Sequence, residues 1–286
     1  MDAVAQIAPT AERRMIMSEK MNNIPFIPSY DFIREEMNDD LQYRLNSRKN
    51  KTSLGRPLYY RINVQLITTQ ECPFNCPFCL ERQNPMSGNN DFYAQIESLK
   101  RVLEEHPNAR LTITGGEPGL YPEHIKNVVD TYKKNSNGVF CSINTSGFSK
   151  EINGLAHINL SRNEYVRPNP DNFPGCTVQT VMESPKLSFV KEYMNLDASS
   201  FSFRFLSGLD RKDYPVDIWN ELQKDTEINV KTFRIGDFFV YATFDYVGKH
   251  ARITLGDMWQ QQHNDYQDGY SNIIIHPDGR IAVNWK

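Results

Sequence analysis

Between Tyr59 and Leu206 strand-like and helix-like segments alternate, and that alternation is what most limits the fold of this chain. Six runs read as strands: Arg61–Thr68, Ala109–Thr114, Val139–Thr145, His157–Ser161, Thr177–Glu183 and Phe201–Leu206. A helix is predicted over Asp91–Glu105, with Phe92, Ile96, Leu99 and Leu103 on one face and Asp91 as its cap. Pro122 opens another, whose apolar stripe of Ile125, Val128, Val129 and Tyr132 runs until Gly138. A third covers Leu187–Leu196. The linker Arg162–Cys176 holds Pro168, Pro170 and Pro174, so the expected helix there is short or missing. Strands separated by helices point to a parallel α/β sheet.

The strands carry a second pattern. Buried parallel strands normally read as nearly continuous Val, Ile and Leu. Here one parity is polar: Asn63 and Gln65, Ser142 and Asn144, Asn159 and Ser161, Gln179, then Ser202 and Arg204. The other parity holds Val64, Leu66, Ile143, Ile158, Leu160, Phe203 and Phe205. With helices on the outer face, a polar inner face means a wet, ligand-holding interior. An antiparallel sandwich gives the same alternation but fits the intervening helices poorly.

Three regions follow. Residues 1–58 are polar, broken by Pro25 and Pro28, with Phe32, Met37 and Leu41 spaced for one amphipathic helix; they read as an arm packing on the main domain. Residues 59–208 are the core. Residues 209–286 hold a helix at Val216–Gln223 and two hairpins, turning at Val247-Gly248 and at Pro277-Asp278-Gly279. This extension is expected to close the open side of the sheet and shape its substrate pocket; Tyr241, Tyr246, His250, Arg252 and His276 are its polar candidates for meeting substrate, with surface or core roles as the plainer reading for most of them. With 32 basic and 35 acidic residues the net charge is −3, which argues against a nucleic-acid binder. No apolar run approaches the roughly 18 residues of a membrane span. The N-terminus shows no export signal, and crowded free thiols imply a reducing, cytoplasmic setting.

Five cysteines do not suit a disulfide scaffold. Three of them, Cys72, Cys76 and Cys79, form C-x3-C-x2-C on one loop and can converge on a soft metal centre. Structural zinc needs four ligands, and no fourth is evident, since Cys141 lies on a strand and Cys176 in a distant loop. Three thiolates on a four-iron cluster leave one iron open, as a catalytic metal requires.

Cys72-Pro73-Phe74-Asn75-Cys76-Pro77-Phe78-Cys79 after a first strand resembles the radical S-adenosylmethionine (SAM) superfamily. The resemblance implies a single [4Fe–4S] cluster whose open iron chelates SAM. Reductive cleavage then gives a 5′-deoxyadenosyl radical that takes a hydrogen atom from a substrate. It also implies that Phe78 lies near the adenine. Gly115-Gly116-Glu117-Pro118, directly after the second strand, is similar to the family's GGEP motif at the methionine amino group. Glycines let backbone approach a ligand, and a carboxylate pairs with an ammonium; the plain alternative is a turn. Asn144 and Ser146 are similar to the family's ribose-side segment, and Ser161 and Arg162 end the strand that often supplies ribose and carboxylate contacts. Arg204 has the polar parity of the sixth strand, where it faces cofactor or substrate, with a structural ion pair as the alternative.

The implied fold is a partial (β/α)6 barrel of parallel strands with a C-terminal, hairpin-containing extension. The core resembles the short cores of the molybdenum-cofactor-enzyme-like branch. It lacks that branch's second cluster, because no cysteine follows Cys176. The antiviral nucleotide-modifying branch has Asn-Tyr-His where this chain has Asn63-Val64-Gln65. The expected substrate is a small molecule or a peptide, with flavodoxin or ferredoxin as electron donor. A non-catalytic protein using the metal structurally is the competing class.

Overall fold

The computed structural model describes residues 63–83, 85, 89–138, 140–182, 186–198, 200–205, 216–235, 239–256 and 272–282. The N-terminal arm and its expected helix lie outside the described residues. Among the described residues, eleven strands form one sheet. Its centre is the expected parallel array: β1 (Asn63–Ile67), β2 (Arg110–Thr114), β3 (Cys141–Thr145), β4 (His157–Ser161), β5 (Thr177–Met182) and β6 (Ser200–Phe205). The sheet is open rather than closed, as in a partial barrel.

Helix α1 (Leu80–Gln83) is a single turn after the cysteine loop. Helix α2 (Phe92–Glu105) begins where Asp91 Oδ1 accepts a hydrogen bond from the Ala94 amide at 2.9 Å, so the expected cap is formed. Helix α3 (Pro122–Asn135) starts on its proline, and α4 (Leu187–Met194) follows β5. Between β4 and β5 the proline-rich linker makes only a 3-10 turn at Pro170–Asn172. Leu99 and Leu103 of α2, Ile125 and Val129 of α3, and Val190 and Met194 of α4 bury against the apolar parity of the strands. Each such side chain contributes about 1.5–3 kcal/mol of transfer free energy, so the helix-covered face holds the sheet together.

Register puts the polar residues on the opposite, inner face. Gln65 pairs with Thr112, Thr112 with Ser142, Asn144 with Asn159, Ser161 with Gln179, and Gln179 with Ser202. Because side chains alternate along each strand, these residues share one face.

The C-terminal region departs from a simple pair of hairpins. Helix α5 (Val216–Lys224) is followed by an additional strand, β7 (Ile228–Ile235). It pairs antiparallel with β8 (Phe239–Tyr246), which pairs antiparallel with β9 (Lys249–Gly256). β9 then runs parallel to β6, while β10 (Asn272–Ile275) runs parallel to β1 and antiparallel to β11 (Ile281–Ala282). The extension therefore lengthens both edges of the core sheet. Among the described residues no helix is long and apolar enough to cross a membrane.

Candidate active site at the carboxyl ends of the strands

Past their last paired residues, β1 and β2 continue as two loops zipped along the backbone. The Thr68 amide donates to Thr114 O at 2.9 Å, the Gly116 amide to Thr69 O at 2.6 Å and the Glu117 amide to Glu71 O at 2.8 Å. This approach explains both glycines. Gly115 has φ +122°, and a Cβ there would lie 2.5 Å from Thr69 O. A Cβ on Gly116 would fall 2.0 Å from Glu71 O. In this structure the glycines bring backbone close to the cysteine loop itself.

Glu71 then leads into the cysteines. Its carboxylate accepts from Tyr121 Oη at 2.8 Å and from Asn90 Nδ2 at 3.3 Å. Cys72 is exposed, while Cys76 and Cys79 are half-buried, and all three thiols are free. The turn Cys76-Pro77-Phe78-Cys79 closes through the Cys79 amide on Cys76 O at 3.2 Å. Burial pushes the Cys72 thiol up, and the charges of Glu117 and Cys79 add to it. Burial does the same to Cys76, with Cys79 and Cys72 adding. The thiols thus sense one another, yet among the described residues no three His, Cys, Asp or Glu side chains converge on one metal ion. Three separated soft donors on one loop fit a polynuclear cluster, which takes each thiolate on its own iron. Asn163, from the loop after β4, stands beside Cys76 and works against the rise of its thiol. Phe78 meets Tyr165 of the same loop edge-on, with ring centroids 6.1 Å apart.

Glu117 is buried and caps the 3-10 turn Pro118–Leu120. Its Oε1 accepts from the Gly119 amide at 2.7 Å and from Thr145 Oγ1 at 2.6 Å. Its Oε2 accepts from the Ser146 amide at 2.7 Å and from Ser146 Oγ. Four donors fill a carboxylate's acceptor positions and lock the end of β2 to the end of β3.

The remaining sequence-predicted residues occupy the inner face and its rim. Asn144 Oδ1 accepts from Asn159 Nδ2 at 2.9 Å, and Ser161 is half-buried beside Gln179. Arg162 donates through Nη1 to Pro168 O at 2.7 Å, which ties it to the proline linker. Arg204 lies across the sheet on β6, well separated in strand order from the cysteine loop of β1. A cavity of about 460 Å³ lies between the loop after β4 and α4, lined by Arg162, Asn163, Glu164, Arg167, Phe189 and Tyr193. It shares only Asn163 with the immediate contacts of the cysteines. Cys141 is half-buried against the core, with burial pushing its thiol up to about 12, and Cys176 is buried.

Sequence reasoning did not find the support beneath the loop. Gln95, fully buried on α2, donates from Nε2 to Ile67 O at 2.9 Å, Thr68 O at 3.2 Å and His276 O at 3.1 Å. Its Oε1 accepts from His124 Nε2 at 2.7 Å, and that ring stacks on Phe92 at 4.1 Å. Burial holds His124 down at about 4, so it is neutral and its Nε2 carries the proton. A Gln within an amphipathic helix has no pattern that announces such contacts. Asn163 was equally hidden, in a linker read only as irregular.

Comparison with curated proteins gave no match. Among solved structures, Streptococcus suis SuiB bound to S-adenosylmethionine aligns at 12% identity and TM-score 0.48, covering 96% of this chain and 70% of that one. SuiB bound to its precursor peptide SuiA aligns at 15% identity and TM-score 0.43, covering 68% of this chain and about half, 52%, of that one. Native anSMEcpe with bound AdoMet and the Cp18Cys peptide aligns at 12% identity and TM-score 0.48, covering 78% and 73%. The Radical SAM superfamily family model matches residues 66–196, from within β1 to just past α4. The cysteine loop, the Gly-Gly-Glu-Pro turn and the linker after β4 all lie inside that segment, so the match to the Radical SAM superfamily takes in each of these parts of the site.

Proposed function

We propose that this protein holds one [4Fe–4S] cluster on Cys72, Cys76 and Cys79 and uses SAM to remove a hydrogen atom from a small-molecule or peptide substrate on the inner face of the sheet. The observation that carries the reading is the meeting of three free thiols, the zipped Gly-Gly-Glu-Pro loop and a polar strand face at one end of the sheet. When bound, the cluster supplies the electron that cleaves the SAM sulfonium to a 5′-deoxyadenosyl radical. The chain's own residues do the rest. Asn163, beside Cys76, is the residue placed to donate to its sulfur, as hydrogen bonds to cluster sulfurs tune potential. Phe78, backed by Tyr165, presents an aromatic wall for the adenine. Gly115, Gly116 and Pro118 hold backbone against the cysteine loop, and Glu117 fixes the loop that receives the methionine end of SAM. Asn144, Ser146, Ser161 and Arg162 line the rim where ribose and carboxylate are held.

A flavodoxin or ferredoxin in a reducing, cytoplasmic setting would supply the electron. The test is anaerobic reconstitution followed by reduction with SAM. We expect about four iron and four sulfide per chain and formation of 5′-deoxyadenosine. Cys79→Ala should lose both while the chain stays folded. Iron far below that content, or no 5′-deoxyadenosine on reduction, defeats the reading; a Cys79→Ala chain that fails to fold points to structural use of the metal instead.

A further inference from the structure

Strands β6 and β9 bring two arginines together on the inner face. Register pairs Ser202 with Arg252 and Arg204 with Thr254, so all four side chains share that face. Arg252 Nε donates to Thr254 Oγ1 at 2.9 Å, which lays its guanidinium along β9 toward the level of Arg204. Arg204 is exposed into the hollow and, among the described residues, makes no hydrogen bond or ion pair. The protein packed around it, together with the charge of Arg252, lowers its pKa from the ordinary arginine value. Strands β1–β6, β8 and β9 place one acid on this face among the described residues, Asp245 opposite His250. That carboxylate is engaged by His250 at 3.1 Å and Lys231 at 3.2 Å, one step toward the amino end of β9.

Arg204, with no hydrogen bond or ion pair among the described residues, lies diagonally across from Arg252 on the neighbouring strand and feels its charge, and the planar fork of a guanidinium suits a two-oxygen ligand. Both residues fall outside 66–196, the segment matched by the family model, and β9 joins the core from the C-terminal region. Their strands, β6 and β9, lie five and six positions from β1 and its cysteine loop. We propose that Arg204 and Arg252 form an oxyanion-binding site for a carboxylate or phosphoryl group of the substrate, facing the SAM end across the inner face. This rests on the reading of that face as the substrate's place.

The test uses the full chain, anaerobically reconstituted and loaded with SAM, titrated calorimetrically at low ionic strength with succinate and, separately, with inorganic phosphate. At least one should bind, and the two arms separate a carboxylate preference from a phosphoryl one. Arg204→Gln and Arg252→Gln should each weaken that binding about tenfold or more, the loss of one charged hydrogen-bonding partner, while SAM affinity stays unchanged. Arg204→Lys, which keeps the charge and loses the fork, should fall between. The proposal is overturned if neither anion binds the wild type, if binding survives both Gln variants, or if SAM affinity falls in step, which would assign the arginines to SAM. A wild-type chain that binds the anion but not SAM would sink the enzyme reading and leave the arginine site standing.

Discussion

Glu117 and Arg204 are both charged residues at the working face of one sheet, and their surroundings are opposite. Glu117 is buried and its carboxylate takes four hydrogen bonds from Gly119, Thr145 and Ser146. Arg204 is exposed into the hollow, has Arg252 for a neighbour and makes no hydrogen bond or ion pair among the described residues. A charge with every position filled belongs to the scaffold, since breaking it leaves desolvated donors behind. A charge with none filled does little for folding and is free to meet a ligand. The β1–β3 side is thus built to be rigid before anything binds, whereas the β6–β9 side is built to receive.

The comparison breaks most sharply at Gly116. Gly116→Ala puts a methyl group 2.0 Å from Glu71 O, and neither partner is a flexible side-chain end. A loss of about 3 kcal/mol is expected by urea denaturation, with lower iron uptake on reconstitution. The buried imidazole of His124 gives the next effect. Burial holds it at about 4, below its ordinary 6.5, so the unfolded chain takes up the proton first. Its contribution is complete above pH 6.5 and declines by about 2–3 kcal/mol as the pH falls toward 4. Subtracting the profile of His124→Gln from that of the wild type isolates it; parallel profiles would show that the ring is not a rigid prop.

Glu117→Gln swaps an acceptor oxygen for a donor facing the Thr145 or Ser146 groups, and should cost about 2 kcal/mol. Arg204→Gln should change stability by less than about 0.5 kcal/mol, because no bond to the guanidinium is lost. If Arg204→Gln proved as damaging as Glu117→Gln, the division into a rigid and a receptive side would collapse.

Local signals carried the core of the fold. Asp91 caps α2, Pro122 starts α3, and the prolines of residues 162–176 leave only a 3-10 turn, as the sequence implied. The polar parity of β1–β6 was equally readable, because alternation is written residue by residue. β7 escaped for a physical reason. Its pairing with β8 shifts register between Val230 and Thr232, so alternation on one side of the irregularity does not continue on the other. The parallel pairing of β9 with β6 and of β10 with β1 is a long-range choice that no local pattern records. At the candidate site the residue types were legible but their neighbours were not. Gly115 and Gly116 announced a close approach without saying that its partner was residues 69–71.

The union of β1 with β10 has a consequence in time. Gln95 bonds a carbonyl 181 residues further along the chain, and β1 gains its second neighbour only when β10 arrives. At a synthesis rate of roughly 5–20 residues per second, that delay is roughly 10–40 s. Through that interval β1 is an unprotected edge with three reduced thiols hanging from its end, open to oxidation and to stray pairing.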